Sequence, residues 1–200
     1  MTSRPADTAV PRRDQILAAA ADLFARAAYG GVSVGDIGAA VGISGPALYK
    51  HFPSKEAILA ELLVGISEEL LHEGSARVAA VDGEPAAALN ALVDWHVSFA
   101  LDHPALITIQ SRDLDRLAEP ERQKVRRLQH DYVETWVDVL RRRSPSVPEP
   151  TARAAAHATF GLLNSTPHSA RTNREEMTGL LRSMALAALE PLDTAGGTAR

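Results

Sequence analysis

The chain contains 200 residues, with 21 basic and 25 acidic side chains, a formal net charge of −4 and no cysteine. This composition excludes a disulfide framework and a thiolate metal site, and no stretch reaches the roughly 20 apolar residues of a membrane span. The segment through Lys55 holds six basic and four acidic residues and the remainder holds 15 and 21, so only the N-terminal part is suited to a polyanionic partner.

Residues 1–11 are predicted to form a mobile arm. They lack the apolar core of a signal peptide, so we expect a cytoplasmic protein. The first helix is predicted over residues 12–28, because apolar side chains recur there at helical spacing. They form one stripe that supplies a wall of a small core: Ile16, Leu17, Ala20, Leu23, Phe24 and Ala27.

A second helix is predicted to begin after Ser33, because Ser33 and Asp36 have the spacing of a capping box. Gly42 can adopt the positive φ that ends this helix in a sharp turn. The pattern is typical of the first half of a helix-turn-helix unit.

The second half of that unit is predicted to begin at Ser44, which can cap a helix that tolerates Pro46 in its first turn. Leu48 and Phe52 are four residues apart and are expected to point inward, which leaves the other residues of this helix on its outer surface. Ser54 can cap the helix that follows. Small residues at the start of an exposed helix let it approach base edges in the major groove, so the segment predicts DNA binding.

These motifs, from Ile16 to Leu63, resemble the DNA-binding region of TetR-type transcriptional repressors. In that family a Tyr-x-x-Phe pair followed by x-Ser-Lys-Glu joins the recognition helix to the first ligand-domain helix. The matching residues here are Tyr49, Phe52, Ser54, Lys55 and Glu56. The resemblance implies an all-α protein with a three-helix DNA-binding head over residues 12–55, a helical ligand-binding and dimerisation body over 56–192, and a tail over 193–200.

The resemblance also implies which residues meet DNA. Ser44, Gly45, Pro46, Ala47 and Lys50 would lie on the groove-facing side, and Ser33, Tyr49, His51 and Lys55 would hold phosphates. Gly35 stands where the family often has a larger polar residue, so no contact is assigned to it.

The body is predicted to be helical throughout, because no segment after Lys55 shows a sustained period of two. Glycine and proline residues separate the helices. They are predicted over residues 55–73, 85–101, 104–109 with a further turn near Leu117, 120–143, 150–165 and 174–189.

Two aromatic pairs at i,i+4 spacing mark the body: Trp95 with Phe99, and Tyr132 with Trp136. His96 lies on the inward stripe of its helix, where an aliphatic residue is expected. These side chains either fill the core, with His96 as a hydrogen-bonded core histidine, or line a ligand cavity, as the resemblance implies. Further polar candidates for the cavity are Gln110, Arg112, Asp113, Asn164 and His168. Alternatively Arg112 and Asp113 only pair with Arg116 or Asp115 on a solvated helix.

Residues 107–117 and 160–169 are similar to the TetR branch that controls fatty-acid, sterol and branched-chain acyl-CoA breakdown. This similarity implies an acyl-CoA or a fatty acid as the small-molecule ligand, with CoA phosphates bound by the arginines at 126–127 or 141–143. Alternatively those arginines are solvated, and the triplet only complements the C-terminal end of its helix.

The last two helices are apolar around most of their circumference, and such helices need burial on two sides. The body can cover one side and a second copy of the chain the other, which gives the four-helix, two-fold interface that the family implies. The residues predicted in this interface are Ala155, Ala158, Gly161, Leu162, Leu181, Met184, Ala185 and Ala188.

The sequence thus predicts a homodimeric repressor that binds a palindromic double-stranded operator and is released by a small apolar or acyl ligand. We expect no enzyme activity, no cofactor and no metal, because the histidines lack ligand spacing and no glycine-rich phosphate loop is present. No membrane partner is expected. Two alternatives stay open: an all-helical enzyme that uses His96 or His168 as acid or base, and a DNA-binding protein without a ligand.

Overall fold

A computed structural model describes residues 10–81, 84–190 and 192. Within this part of the chain the regular structure consists of α-helices and two short 3₁₀ turns, Tyr29–Gly31 and Leu114–Arg116. The helices are α1 (Arg12–Ala27), α2 (Val34–Ala40), α3 (Gly45–Leu48), α4 (Lys55–Ala80), α5 (Pro85–Asp102), α6 (Pro104–Asp113), α7 (Glu119–Arg143), α8 (Glu149–Leu163), α9 (Thr166–Ser169) and α10 (Arg174–Leu189). The all-α prediction is confirmed; the predicted arm before residue 10 and the tail at 193–200 lie outside the described residues.

The head begins its helices where the capping residues indicate. Ser33 and Asp36 form the reciprocal capping box of α2, in which the Ser33 oxygen accepts from the Asp36 backbone N–H. Gly42 follows with a φ of 71°, a left-handed conformation that glycine adopts without steric cost. Ser44 and Ser54 then cap α3 and α4 by accepting backbone N–H bonds three residues ahead.

The helix α3 is short, but the hydrogen bonds from the His51 and Phe52 amides to the Leu48 carbonyl extend it by a further turn. Leu48 and Phe52 are both buried, as their spacing predicts. The outward-facing residues of this turn therefore form a continuous surface held by two core anchors.

The helix α4 runs to Ala80, seven residues beyond the predicted end. Gly74 follows the predicted end at Glu73, and glycine generally weakens helices. In the structure Gly74 lies inside α4 where α7 crosses closely, and a Cβ there would be 2.6 Å from Cε2 of Tyr132. Gly74 therefore permits helix packing instead of ending the helix.

Two apolar cores fill the molecule. The body core lies between α4, α5, α7, α8 and α10. The head core is formed by α1 to α4, and it also contains three buried residues from beyond α5: Ile109, Leu117 and Val125. The head therefore packs directly on α6 and the start of α7. Within the described ranges no helix has the length and apolar character needed to cross a membrane.

Candidate DNA-binding surface and ligand pocket

The residues predicted to meet DNA surround α3 and the turn after it. Four of them are exposed: Ser44, Pro46, Tyr49 and Lys50. Three more are partly buried: Gly45, Ala47 and His51. Tyr49 is 55% exposed although it is a large aromatic residue, so its ring and hydroxyl are open to a partner.

Arg13 stabilises this surface, and it was not among the functional residues predicted from the sequence. Its Nη1 donates to the His51 carbonyl at 2.6 Å, and its guanidinium lies 4.1 Å from the centroid of the Phe52 ring. Its Nε donates to Glu61 on α4 at 2.9 Å. No local pattern indicates these contacts, because the partners lie 38 and 48 residues away.

Lys55 has a different environment from the one predicted. Its Nζ donates to the carbonyls of Tyr29 and Val32 at 2.9 and 2.8 Å, and it lies 4.1 Å from the centroid of the Tyr29 ring. Glu56 accepts a hydrogen bond from the Tyr29 hydroxyl at 2.7 Å. These contacts give Lys55 a structural role, in which its ammonium group holds the connection between α1 and α2 against the start of α4, and its phosphate contact stays a prediction.

Ser33 is exposed but its hydroxyl is engaged. It donates to Oδ2 of Asp36 at 2.7 Å while it accepts the Asp36 amide. The hydrogen bonds from the Ser33 side chain and backbone lower the pKa of Asp36, so this carboxylate stays ionised beside the hydroxyl. A phosphate at Ser33 would lie close to that negative charge, and the contact predicted for Ser33 stays a prediction.

A cavity of about 210 Å³ lies between α4, α5, α6, α7 and α8. It is lined by four of the predicted ligand-binding residues: His96, Gln110, Tyr132 and Asn164. Phe160, Ser67 and Gln129 also line it and were missed. Phe160 precedes Asn164 by four residues, so helical spacing could have indicated it.

Three predicted aromatic residues lie outside this lining. Phe99 is 2% exposed and Trp136 is wholly buried, so they fill the core behind the cavity wall. Trp95 donates its indole N–H to the Leu70 carbonyl at 3.3 Å and stacks under Arg77. These three side chains have the core-filling role that was the alternative interpretation.

Arg112 and His168 also depart from the predicted pocket. Arg112 donates to the Phe24 and Ala25 carbonyls at the C-terminal end of α1, and it pairs with Asp113 at 2.9 Å. It therefore links α6 to the head and does not line the cavity. His168 lines a neighbouring cavity of about 320 Å³, which shares Gln110, Gln129 and Asn164 with the first.

His96 and Ser67, each 2% exposed, are the most buried polar residues of the cavity wall. Nδ1 of His96 lies 3.2 Å from the Tyr132 hydroxyl and its Nε2 lies 3.0 Å from Oδ1 of Asn164. Burial lowers the pKa of His96 to about 4 and raises that of Tyr132. The imidazole is therefore neutral near pH 7, and it stacks on Phe160 with ring centroids 4.9 Å apart.

The outer faces of α8 and α10 form an exposed surface of small and apolar residues. Its predicted members are Ala158, Gly161, Met184 and Ala188, with Ala155 and Leu162 partly buried. Leu180, 51% exposed, extends it and was not among the predicted contacts. Leu181 and Ala185 are instead buried in the core of their own chain, because they lie on the inner face of α10, so they are removed from any surface that a partner contacts.

Comparisons with known proteins follow the two parts of the structure. Residues 16–62 match the family described as "Bacterial regulatory proteins, tetR family", and residues 82–168 match the "Tetracyclin repressor-like, C-terminal domain". The chain is 32% identical over 145 residues to the HTH-type transcriptional repressor KstR2 of Rhodococcus jostii, a match that covers 70% of each protein.

Solved structures show the same architecture. A TetR-family transcriptional regulator from Bordetella parapertussis 12822 has a TM-score of 0.80 and 25% identity, with 89% of this chain and 94% of that chain covered. AibR, in complex with isovaleryl coenzyme A and operator DNA, has a TM-score of 0.72 and 18% identity, with coverage of 87% and 97%. With a helix-turn-helix head, a helical body and a matched relative over most of its length, this chain belongs to the TetR family of bacterial transcriptional regulators.

Proposed function

We propose that this protein is a homodimeric repressor that leaves a two-fold operator when an acyl ligand occupies the cavity of the body. One observation carries the proposal: α6 contacts the cavity and the head at once. Gln110 lines the cavity, the adjacent Ile109 is buried in the head core, and Arg112 bonds the end of α1. A ligand that moves Gln110 therefore displaces a helix that is packed against the head and bonded to it.

The exposed turn around α3 supports operator binding. Lys50 and Tyr49 project from the part of the head that would enter a major groove, with Ser44 and Pro46 at its tip. Two heads of one dimer would read half-sites about 34–36 Å apart, one helical turn of DNA. Ligand and operator then oppose each other through a single coupling free energy, typically about 1–3 kcal/mol.

The mouth of the cavity supports an acyl-CoA as the ligand. Gln129, Val133 and His157 line both the cavity and a shallow depression that opens toward Arg126 and Arg153. Arg126 lies 3.4 Å from Asp115, and both side chains are exposed. Because exposed ion pairs are weak, a phosphate can displace Asp115 from this arginine. AibR, a structural relative, was solved with isovaleryl coenzyme A. Of the triplet at 141–143, Arg141 lies 4.0 Å from Glu149, a carboxylate that also pairs with Arg153 at 2.8 Å.

The alternatives receive less support. Both ring nitrogens of His96 are engaged, which leaves no nitrogen for acid–base catalysis. A DNA-binding protein without a ligand would have no need for a cavity with polar groups facing it.

The proposal is tested by gel shift on DNA fragments that flank the gene encoding this protein, with octanoyl-CoA as the releasing ligand. Tyr49→Phe is expected to weaken binding to all sequences alike, and Lys50→Ala is expected to weaken it and relax base preference. Lys124→Ala, which removes a surface lysine of the body paired with Glu68, is the matched control and should bind as the natural protein does. Unchanged affinity in both head variants would contradict the surface, and failure of every acyl-CoA to release DNA would contradict the ligand.

A further inference from the structure

The cavity wall carries hydrogen-bonding groups but no ionic partner. Among the described residues that line it there is no Asp, Glu, Lys or Arg. The polar groups are two glutamines, an asparagine, a serine, a tyrosine and two histidines. Burial of an ion without a countercharge is strongly unfavourable. A ligand group inside this cavity is therefore stable only if it is uncharged.

The hydrogen bonds at His96 have a fixed direction. A neutral imidazole has one N–H and one bare nitrogen. Since Oδ1 of Asn164 can only accept, Nε2 of His96 donates to it, and Nδ1 then accepts from the Tyr132 hydroxyl. Hydrogen-bond donation therefore runs in one direction, from Tyr132 to His96 and from His96 to Asn164.

This direction leaves one donor for the cavity. With Oδ1 of Asn164 held by His96 at 3.0 Å, the amide nitrogen Nδ2 is the remaining polar atom of this side chain. In the described parts of the chain Nδ2 makes no hydrogen bond, and Asn164 lines both neighbouring cavities. An N–H pair that faces a cavity is matched by an acceptor oxygen on the ligand.

We propose that the Asn164 amide is the specificity-determining donor for an uncharged carbonyl oxygen of the ligand, and that His96 and Tyr132 are positioning residues that keep this amide from turning. This inference rests on the proposed function, since it takes the ligand to bind in this cavity. It distinguishes between the two ligand classes left open by the sequence: an ester or thioester carbonyl fits, and the carboxylate of a free fatty acid does not.

The volume of the cavity determines which ligands are suitable probes for a binding measurement. A volume of about 210 Å³ is below the ~300–1,000 Å³ of drug-sized sites and somewhat above the ~150 Å³ that holds benzene, so a medium-length chain is suited. Methyl octanoate and octanoate share this chain and differ in the charge of the head group. Isothermal titration calorimetry of the full-length protein at pH 7.5 is expected to show about tenfold or more tighter binding of the ester.

The variant Asn164→Asp tests the donor. Aspartate keeps the shape and an acceptor for His96, but it presents an oxygen to the cavity in place of the N–H pair. It is expected to weaken binding of methyl octanoate by about tenfold or more. Gln129→Glu is the matched control, because it places the same charge on the same cavity wall without touching His96. Its effect on the ester is expected to be clearly smaller.

His96→Leu tests the positioning role through ligand preference. Without His96 the Asn164 amide can turn, so the ratio of ester to acid affinity is expected to fall toward one, a change that a packing role would not produce.

The inference is overturned if the natural protein binds octanoate as tightly as methyl octanoate, if neither probe binds, or if Asn164→Asp and Gln129→Glu weaken the ester equally. Equal binding of both probes with release of the operator would leave the repressor function standing, whereas tight ester binding without release would overturn that function and support the donor.

Discussion

Lys50 and Lys55 show how two lysines of one segment acquire different roles from their surroundings. Lys50 is exposed on the recognition turn, whereas the Lys55 ammonium is bonded to two carbonyls and covered by the Tyr29 ring. The first is exposed to a DNA partner and the second stabilises the fold of the head.

We therefore expect Lys55→Met to lower the free energy of unfolding by about 1–3 kcal/mol, because two carbonyls lose a charged donor. Lys50→Met should leave stability within about 0.5 kcal/mol, while it weakens operator binding and relaxes base preference. Urea unfolding and operator affinity at several salt concentrations measure both effects. A stable Lys55→Met protein with a reduced salt slope would return Lys55 to the DNA surface.

His96 gives the protein a characteristic pH dependence. The unfolded chain binds a proton at this residue near pH 6.5, whereas the folded protein excludes it until about pH 4. Stability is therefore fully present above pH 6.5 and is lost as the pH falls, by about 3 kcal/mol for this group. His96→Gln should flatten the unfolding free energy between pH 6.5 and 4, measured by urea unfolding, and identical curves for both proteins would contradict the buried neutral ring.

Local contacts explain which residues the sequence could assign. The caps at Ser33 and Ser44 depend on partners three residues away, so spacing alone indicated them. The bonds of Lys55 and Arg112 reach carbonyls at least 23 and 87 residues away, and only the folded structure brings these groups together. His96, Tyr132 and Asn164 were each predicted to line the cavity, but the hydrogen bonds that join them depend on the packing of α5, α7 and α8 and could not be predicted from spacing.

At the scale of elements, α6 is a body helix of 10 residues that contributes to both apolar cores. Its bounds could not be read fully from sequence, because residues 110–113 carry polar side chains whose partners lie on α1 and α4. By contrast, the bounds of α10 agree with the prediction to the residue, since its apolar period is unbroken.

We expect Arg112→Met to reduce the coupling between ligand and operator. The variant loses the link from α6 to the Phe24 and Ala25 carbonyls, while the cavity lining is untouched. Ligand affinity should be unchanged, and the ratio of operator affinities without and with ligand should shrink by about 2–30-fold. Calorimetry and gel shift give the two quantities. Arg142→Met, which removes a surface arginine paired with Asp138, is the control, and full ligand-induced release by Arg112→Met would show that α6 acts through other contacts.

At the scale of the molecule, the exposed faces of α8 and α10 determine the assembly that we propose. Met184→Glu places a charge on this surface and is expected to give folded monomers with weak operator binding, because one half-site alone binds poorly. Leu181→Glu places it in the core and is expected to unfold the chain. Ala79→Glu, on the exposed side of α4, should remain dimeric. Sedimentation at micromolar concentration distinguishes these outcomes, and a dimeric Met184→Glu protein would place the interface elsewhere.

Three residues of the head core come from α6, from the connection after it and from α7, and they limit how this regulator can be recombined. A hybrid that joined the head through residue 55 to the body of another family member would lack Ile109, Leu117 and Val125, and would expose the apolar side chains that they cover. Engineers who exchange operator specificity should therefore transplant only the outward residues of α3, or carry the matching positions of α6 and α7 along with the head. The same constraint means that the buried face of the head must change together with the positions that cover it, whereas the exposed residues of α3 can change alone.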